Sequence, residues 1–102
     1  MKDCCKTYLD EQFGGDPDII AEIYNEYASS AREKIAEAAE ALAASAWEPL
    51  DRIAHTVKGN ALAAGDKDMA DTAIALRSAA KLADAAEAAR LVERLQTLQE
   101  LL

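Results

Sequence analysis

Between Asp16 and Ala44 the apolar residues Ile20, Ile23, Tyr27, Ala31, Ile35, Ala38 and Leu42 recur at intervals of 3, 4, 4, 4, 3 and 4. That spacing is the period of an α-helix with one buried face, whereas a strand, whose side chains alternate sides, buries every second residue. Asp16-Pro17-Asp18 opens the helix. Asp16 can cap it, Pro17 suits the first helical position, and Asp18 is favoured at the positive end of the helix dipole. The opposite face carries Glu22, Glu26, Arg32, Glu33, Glu37 and Glu40 and reads as solvated surface. One apolar stripe of this length has to be covered by other elements of the chain.

Four more helical segments supply the cover. Cys5, Tyr8, Leu9 and Phe13 form a short amphipathic helix that Gly14-Gly15 stops, too short to hold its shape alone and expected to pack as a lid. Ser45 and Glu48 have the form of a capping box, with Pro49 tolerated in the first turn and Trp47 at the start of the helix. Gly65 ends that helix and Asp66 can cap the next, whose inner face is Met69, Ala73, Leu76 and Ala80. Asp84 and Glu87 form a second capping pair before Ala85, Ala88, Val92, Leu95, Leu98 and Leu102. The expected helices cover about 3–13, 17–44, 46–64, 67–80 and 85–101. Strand and hairpin signals are absent. Short links force neighbours to run antiparallel, so the expected fold class is all-α. It is a single domain over 1–102, an antiparallel up-down four-helix bundle with a short extra N-terminal helix.

Much of the apolar content is alanine and only 5% of the chain is aromatic, so the core should be thin and long. The net charge of −8 argues against nucleic acid as a partner, because phosphate binding needs a basic face. No apolar run approaches a membrane span, and Met1-Lys2-Asp3-Cys4-Cys5 is no signal peptide, so a cytoplasmic protein is expected. Cys4 and Cys5 are adjacent and lie in no Cys-x-x-Cys pair. They read as free thiols, and no metal site is expected.

The chemistry centres on Ala54-His55-Thr56-Val57-Lys58-Gly59, which holds the only histidine. On a helical wheel Leu50, Ile53, Ala54, Val57, Ala61 and Ala64 form the apolar stripe, and His55 lies roughly 150° from its middle. A histidine there points to solvent. Asp51, Lys58, Gly59 and Leu62 share its row one and two turns away, with Arg52 at the flank. A glycine inside a helix costs about 1 kcal/mol relative to alanine, and Gly59 is best explained as space for a group that approaches the imidazole.

The chain resembles the histidine-containing phosphotransfer (HPt) domain family of phosphorelays. The resemblance rests on Ala54, His55, Lys58 and Gly59, on Gly65 ten residues after the histidine, and on the helix pattern over nearly the whole chain. It implies a histidine phosphotransfer protein of a two-component phosphorelay. His55 would accept a phosphoryl group from the aspartate of a receiver domain and pass it to another receiver. Lys58 would be the phosphate-stabilising cation, Gly59 the small residue beside the ring, and Gly65 a structural turn. The implied partners are receiver (response regulator) domains, with a hybrid histidine kinase as a further candidate.

Imidazole suits the task, since a reference pKa of about 6.5 leaves much of it with a free lone pair at neutral pH. The attacking atom is expected to be the outer ring nitrogen, with Asp51 accepting the proton of the other. Lys58 is placed to stabilise the equatorial oxygens of the transferring group, with Arg52 as additional support. Leu62 is expected to be an apolar contact for the receiver. The sequence has no glycine-rich phosphate loop, second histidine or acidic trio for magnesium. The chain is therefore expected to be a carrier and not an enzyme, without a cofactor of its own, the Mg2+ coming with the receiver. The exposed faces suit a monomer, and Met1 suggests a free-standing chain. The alternative is a helical adaptor that binds receiver or kinase domains without phosphotransfer.

Overall fold

The computed structural model describes all 102 residues. It contains five helices: α1 (Asp3–Phe13), α2 (Pro17–Ala43), α3 (Trp47–Ala64), α4 (Lys67–Lys81) and α5 (Ala85–Gln99). No strand occurs.

Left-handed residues make the turns. Gly14 and Gly15 end α1 with φ of 65° and 75°, and Ser45, Gly65 and Ala83 follow α2, α3 and α4 with φ of 53°, 73° and 49°. At each of the last three junctions a backbone amide closes back over the helix end: Ala46 to the Ala41 carbonyl at 2.9 Å, Asp66 to Ala61 at 2.9 Å, and Asp84 to Ala79 at 3.0 Å. These bonds satisfy carbonyls that the helix leaves unpaired. An aspartate then starts three of the helices. Asp16 accepts from the amides of Asp18 and Ile19, Asp66 from Met69, and Asp84 from Glu87.

The expected capping box at Ser45 does not form. With φ of 53° Ser45 is the left-handed residue that closes α2, and Ala46 precedes α3 without a side-chain cap. Glu87 does not reach back to Asp84 either; its carboxylate pairs with Arg90. Gly65 is required twice over. Its φ favours glycine, and a Cβ there would stand 2.3 Å from the Tyr8 Cβ. The absent side chain is the gap through which α1 reaches the body of the protein.

α2 packs against α3 and α5, α3 against α4, and α4 against α5, while α1 lies on α2 and α3. Leu9, Ile35, Leu50, Val57, Met69, Leu76 and Leu95 are buried in one core. Between them Ala31, Ala38, Ala54, Ala61, Ala73 and Ala88 let helix backbones come close, and the molecule is a rod of 42 × 19 × 18 Å. Two residues placed by periodicity on buried faces lie at helix ends and are exposed: Phe13 closing α1 and Ala85 opening α5. No helix is long and apolar enough to cross a membrane.

A buried polar cluster ties α1 to this body. Asp66 is 1% exposed. Its two oxygens accept from Lys2 Nζ at 2.9 and 3.0 Å, and Oδ2 also accepts from the Tyr27 hydroxyl at 2.7 Å. The Lys2 backbone amide donates to the Tyr24 hydroxyl at 3.4 Å. Beside them burial, reinforced by the Asp66 charge, pushes the Cys5 thiol up to about 12. A thiol held protonated is a poor nucleophile and a poor metal ligand.

Candidate functional site

The side chains around His55 are positioned by the rotation of α3. Leu50, Ala54, Val57, Ala61 and Ala64 are buried against the core, which turns the histidine row outward. Asn60 fixes the same rotation on the α2 side, its amide donating to Ser30 Oγ at 3.1 Å. His55 is exposed, as the wheel requires of a residue opposite the apolar stripe.

Asp51 is arranged differently from the sequence expectation. Its carboxylate does not accept from the His55 ring; Oδ1 accepts from Arg77 Nε at 2.9 Å. Arg77 stands on α4, and its Nη1 lies 3.0 Å from His55 Nδ1. A guanidinium carries donors and no acceptor, so Nδ1 receives this hydrogen bond on its lone pair. The three side chains form a line from Asp51 through Arg77 to His55. Arg77 belongs to this arrangement although no local signal singled it out, because it is 22 residues from His55 and arrives only when α4 packs on α3.

Lys58 is half-buried and enters no ion pair, so its ammonium stays available beside the histidine row. A Cβ built at Gly59 meets nothing within 4 Å. Packing inside the chain therefore does not explain this glycine, and the room over it is open to an incoming group. Leu62, further along the row, is 54% exposed. On α4, Ile74 precedes Arg77 by three residues on the same helix face and is 47% exposed, an apolar neighbour that periodicity alone did not mark. Arg52 is not drawn toward the ring; its partner is Glu48 at 3.6 Å, one turn back on the surface.

The arrangement is a surface. The largest hollow, about 440 Å³, lies between α2 and α3, is lined by residues such as Glu26, Ser30, Glu33 and Asn60, and does not include His55. Arg77 meets the imidazole, and Lys58 follows it one turn along α3, in a chain whose net charge is −8. Only Arg77 is balanced, by Asp51. An exposed nitrogen nucleophile with a free cation and open space beside it suits the uptake of an anionic group presented by another macromolecule.

The one group of three metal-ligating side chains with donor atoms within 4.8 Å of one another is Cys4, Cys5 and Asp66. It lies at the far end of α3, about 16 Å from His55 along the helix at 1.5 Å per residue. Asp66 there is already committed to Lys2, Tyr27 and Met69, and the Lys2 ammonium repels a cation, so the donor set does not fit a metal.

Among families of known proteins, the model described as Hpt domain matches residues 22–102. No curated protein matches the chain, and no solved structure does.

Proposed function

The chain belongs to the Hpt domain family, and from that premise we propose that His55 is the phosphoryl acceptor of a carrier serving receiver domains. Membership of the family implies a part in histidine phosphotransfer within phosphorelays, and Hpt domains in general are phosphocarriers rather than kinases. What supports the specific assignment is the exposed His55 beside an unpaired Lys58 and the empty space over Gly59. Within this reading the packed ring of α2, α3, α4 and α5 is an antiparallel up-down four-helix bundle, with α1 as the extra helix. The short connections between helices support it.

Transfer proceeds by attack of His55 Nε2 on the phosphorus of a receiver's aspartyl phosphate. The bond to the aspartate oxygen breaks and its electron pair leaves with the carboxylate. Charge on the equatorial oxygens is met by the Lys58 ammonium. Gly59 admits the receiver close to the ring, and Leu62 provides an apolar contact two turns further along α3. Asp51 acts through Arg77, and Arg52 remains a surface arginine paired with Glu48. The Mg2+ that assists the reaction is brought by the receiver. The carrier acts as a monomer in the cytoplasm, in keeping with its polar outer faces.

The test is incubation with a phosphorylated receiver. The chain gains a phosphate that is labile to acid and stable to base, and His55→Gln gains none. Lys58→Ala keeps its fold and accepts phosphate about tenfold more slowly or worse. Phosphate on His55→Gln, or none on the unaltered chain with any receiver, overturns the assignment.

A further inference from the structure

We propose that Arg77 is a positioning residue that latches the His55 ring, slowing both the uptake and the release of the phosphoryl group. The inference deepens the reading of His55 as the acceptor and rests on it.

The hydrogen bond itself sets the tautomer. Arg77 Nη1 lies 3.0 Å from Nδ1, and a guanidinium stays charged and can only donate. Nδ1 must therefore carry its lone pair toward Arg77, which leaves the proton of the neutral ring on Nε2. In that tautomer the Nε2 electron pair belongs to the aromatic system and is not available to attack. Uptake needs the opposite form, with the proton on Nδ1 and the lone pair on Nε2. The guanidinium has to leave Nδ1 before that form exists.

After transfer the same bond protects the product. Attack by Nε2 forms the P–N bond and leaves a cationic ring with its proton on Nδ1. That proton passes to solvent, and Nδ1 again offers a lone pair to Arg77. Release requires the reverse. Nδ1 takes a proton, and an oxygen of the acceptor (a receiver's aspartate, or water in hydrolysis) bonds to phosphorus as the P–N bond breaks. The P–N electron pair returns to Nε2, so that the ring departs as neutral imidazole. While Arg77 donates to Nδ1, that proton has no place to bind. The resting ring and the phosphorylated ring both accept from Arg77; the reactive ring does not.

Asp51 aims the latch. Its Oδ1 holds Arg77 Nε at 2.9 Å, with the two side chains 23% and 26% exposed. Water reaches both groups, so the guanidinium can swing away without leaving a buried charge unpaired. The charged groups facing the ring nitrogens are thus Arg77 from α4 and, through it, Asp51 from α3.

Long-range nitrogen–proton NMR of the labelled full chain reads the tautomer directly. The expected spectrum has a protonated Nε2 and an unprotonated Nδ1, and Arg77→Met shifts the ring toward a mixture. In parallel, the chain is phosphorylated with phosphoramidate, which needs no receiver, and the phosphohistidine lifetime is followed. Loss of one charge-assisted hydrogen bond should shorten that lifetime about threefold to tenfold in Arg77→Met, with a smaller shortening in Asp51→Asn, and should speed uptake from a phosphorylated receiver. An arginine that merely stabilised transferring charge would give slower uptake when removed, and one with only a packing role would leave the tautomer unchanged. Either result overturns the latch, as does a proton on Nδ1 in the unaltered chain. A tautomer result against Arg77 removes the latch alone, whereas an unaltered chain that cannot be phosphorylated removes the carrier reading and the latch with it.

Discussion

Asp51 lies within the histidine helix and Asp66 just beyond its end, each beside a cation, and the contrast between them separates what holds the molecule together from what it uses. Asp66 is sealed off from water, and its oxygens take two hydrogen bonds from Lys2, one from Tyr27 and one from the Met69 amide. Asp51 is 23% exposed and takes one bond, from Arg77, whose other arm reaches His55. The residue pairs are chemically alike. Burial is what differs, and it decides the consequence of disturbing each. A buried charge that loses its partner has no water to turn to, whereas one that water already reaches is solvated again at little cost.

That contrast is broken most sharply by paired substitutions. Asp66→Ala leaves the Lys2 ammonium and the Tyr27 hydroxyl without their acceptor and should lower stability by about 3 kcal/mol. Asp51→Ala should change it by less than about 1 kcal/mol. Urea denaturation of the two proteins side by side checks this, and equal losses would mean that the Asp51 pair is as structural as the buried one.

The two glycines of α3 and its end divide along the same line, with a smaller difference. Gly65→Ala strains a left-handed backbone and drives a methyl into Tyr8, and should cost about 2 kcal/mol. Gly59→Ala meets no atom and removes a weak helix former, so it should add about 0.5–1 kcal/mol while slowing transfer from a receiver. A stabilised Gly59→Ala protein with undiminished transfer would show that the open space has no use.

Near neutral pH the least effect comes from titrating the buried cluster, which matters only in alkali. Burial raises Cys5 from its ordinary 9.0 to about 12, and it also raises Tyr24 and Tyr27 above their ordinary 10.0. These are acids whose protons the folded state holds more tightly. The unfolded chain therefore ionises first, and stability is full below about pH 9 and declines as pH rises from there. Thermal melts followed by helical circular dichroism across that range should show a falling midpoint, and a flat profile would deny that the cluster resists ionisation.

Much of this was legible in the residues in order. The 3- and 4-residue spacing in α2 and α3 marked the buried faces, and the same spacing turned His55 outward, because side-chain direction in a helix follows from position alone. Asp16, Gly65 and Asp84 announced helix ends through local backbone chemistry. Ser45 did not. Its sequence fits a cap, but the tight turn between α2 and α3 needed a left-handed residue at that place. Phe13 fitted an apolar face by spacing and is nonetheless exposed, because α1 ends at Gly14.

Periodicity and capping act between residues a few positions apart, so the order of the residues alone determined five helices and an exposed histidine with Lys58 and Gly59 on its row. Which group holds the imidazole was settled elsewhere. Asp51 is the nearest carboxylate in the chain and was the natural partner, yet Arg77 comes between them once α4 packs against α3. Lys2 meets Asp66 in the same way, across 64 positions. A hydrogen bond depends on distance in space, and for residues so far apart along the chain that distance exists only after the helices have packed.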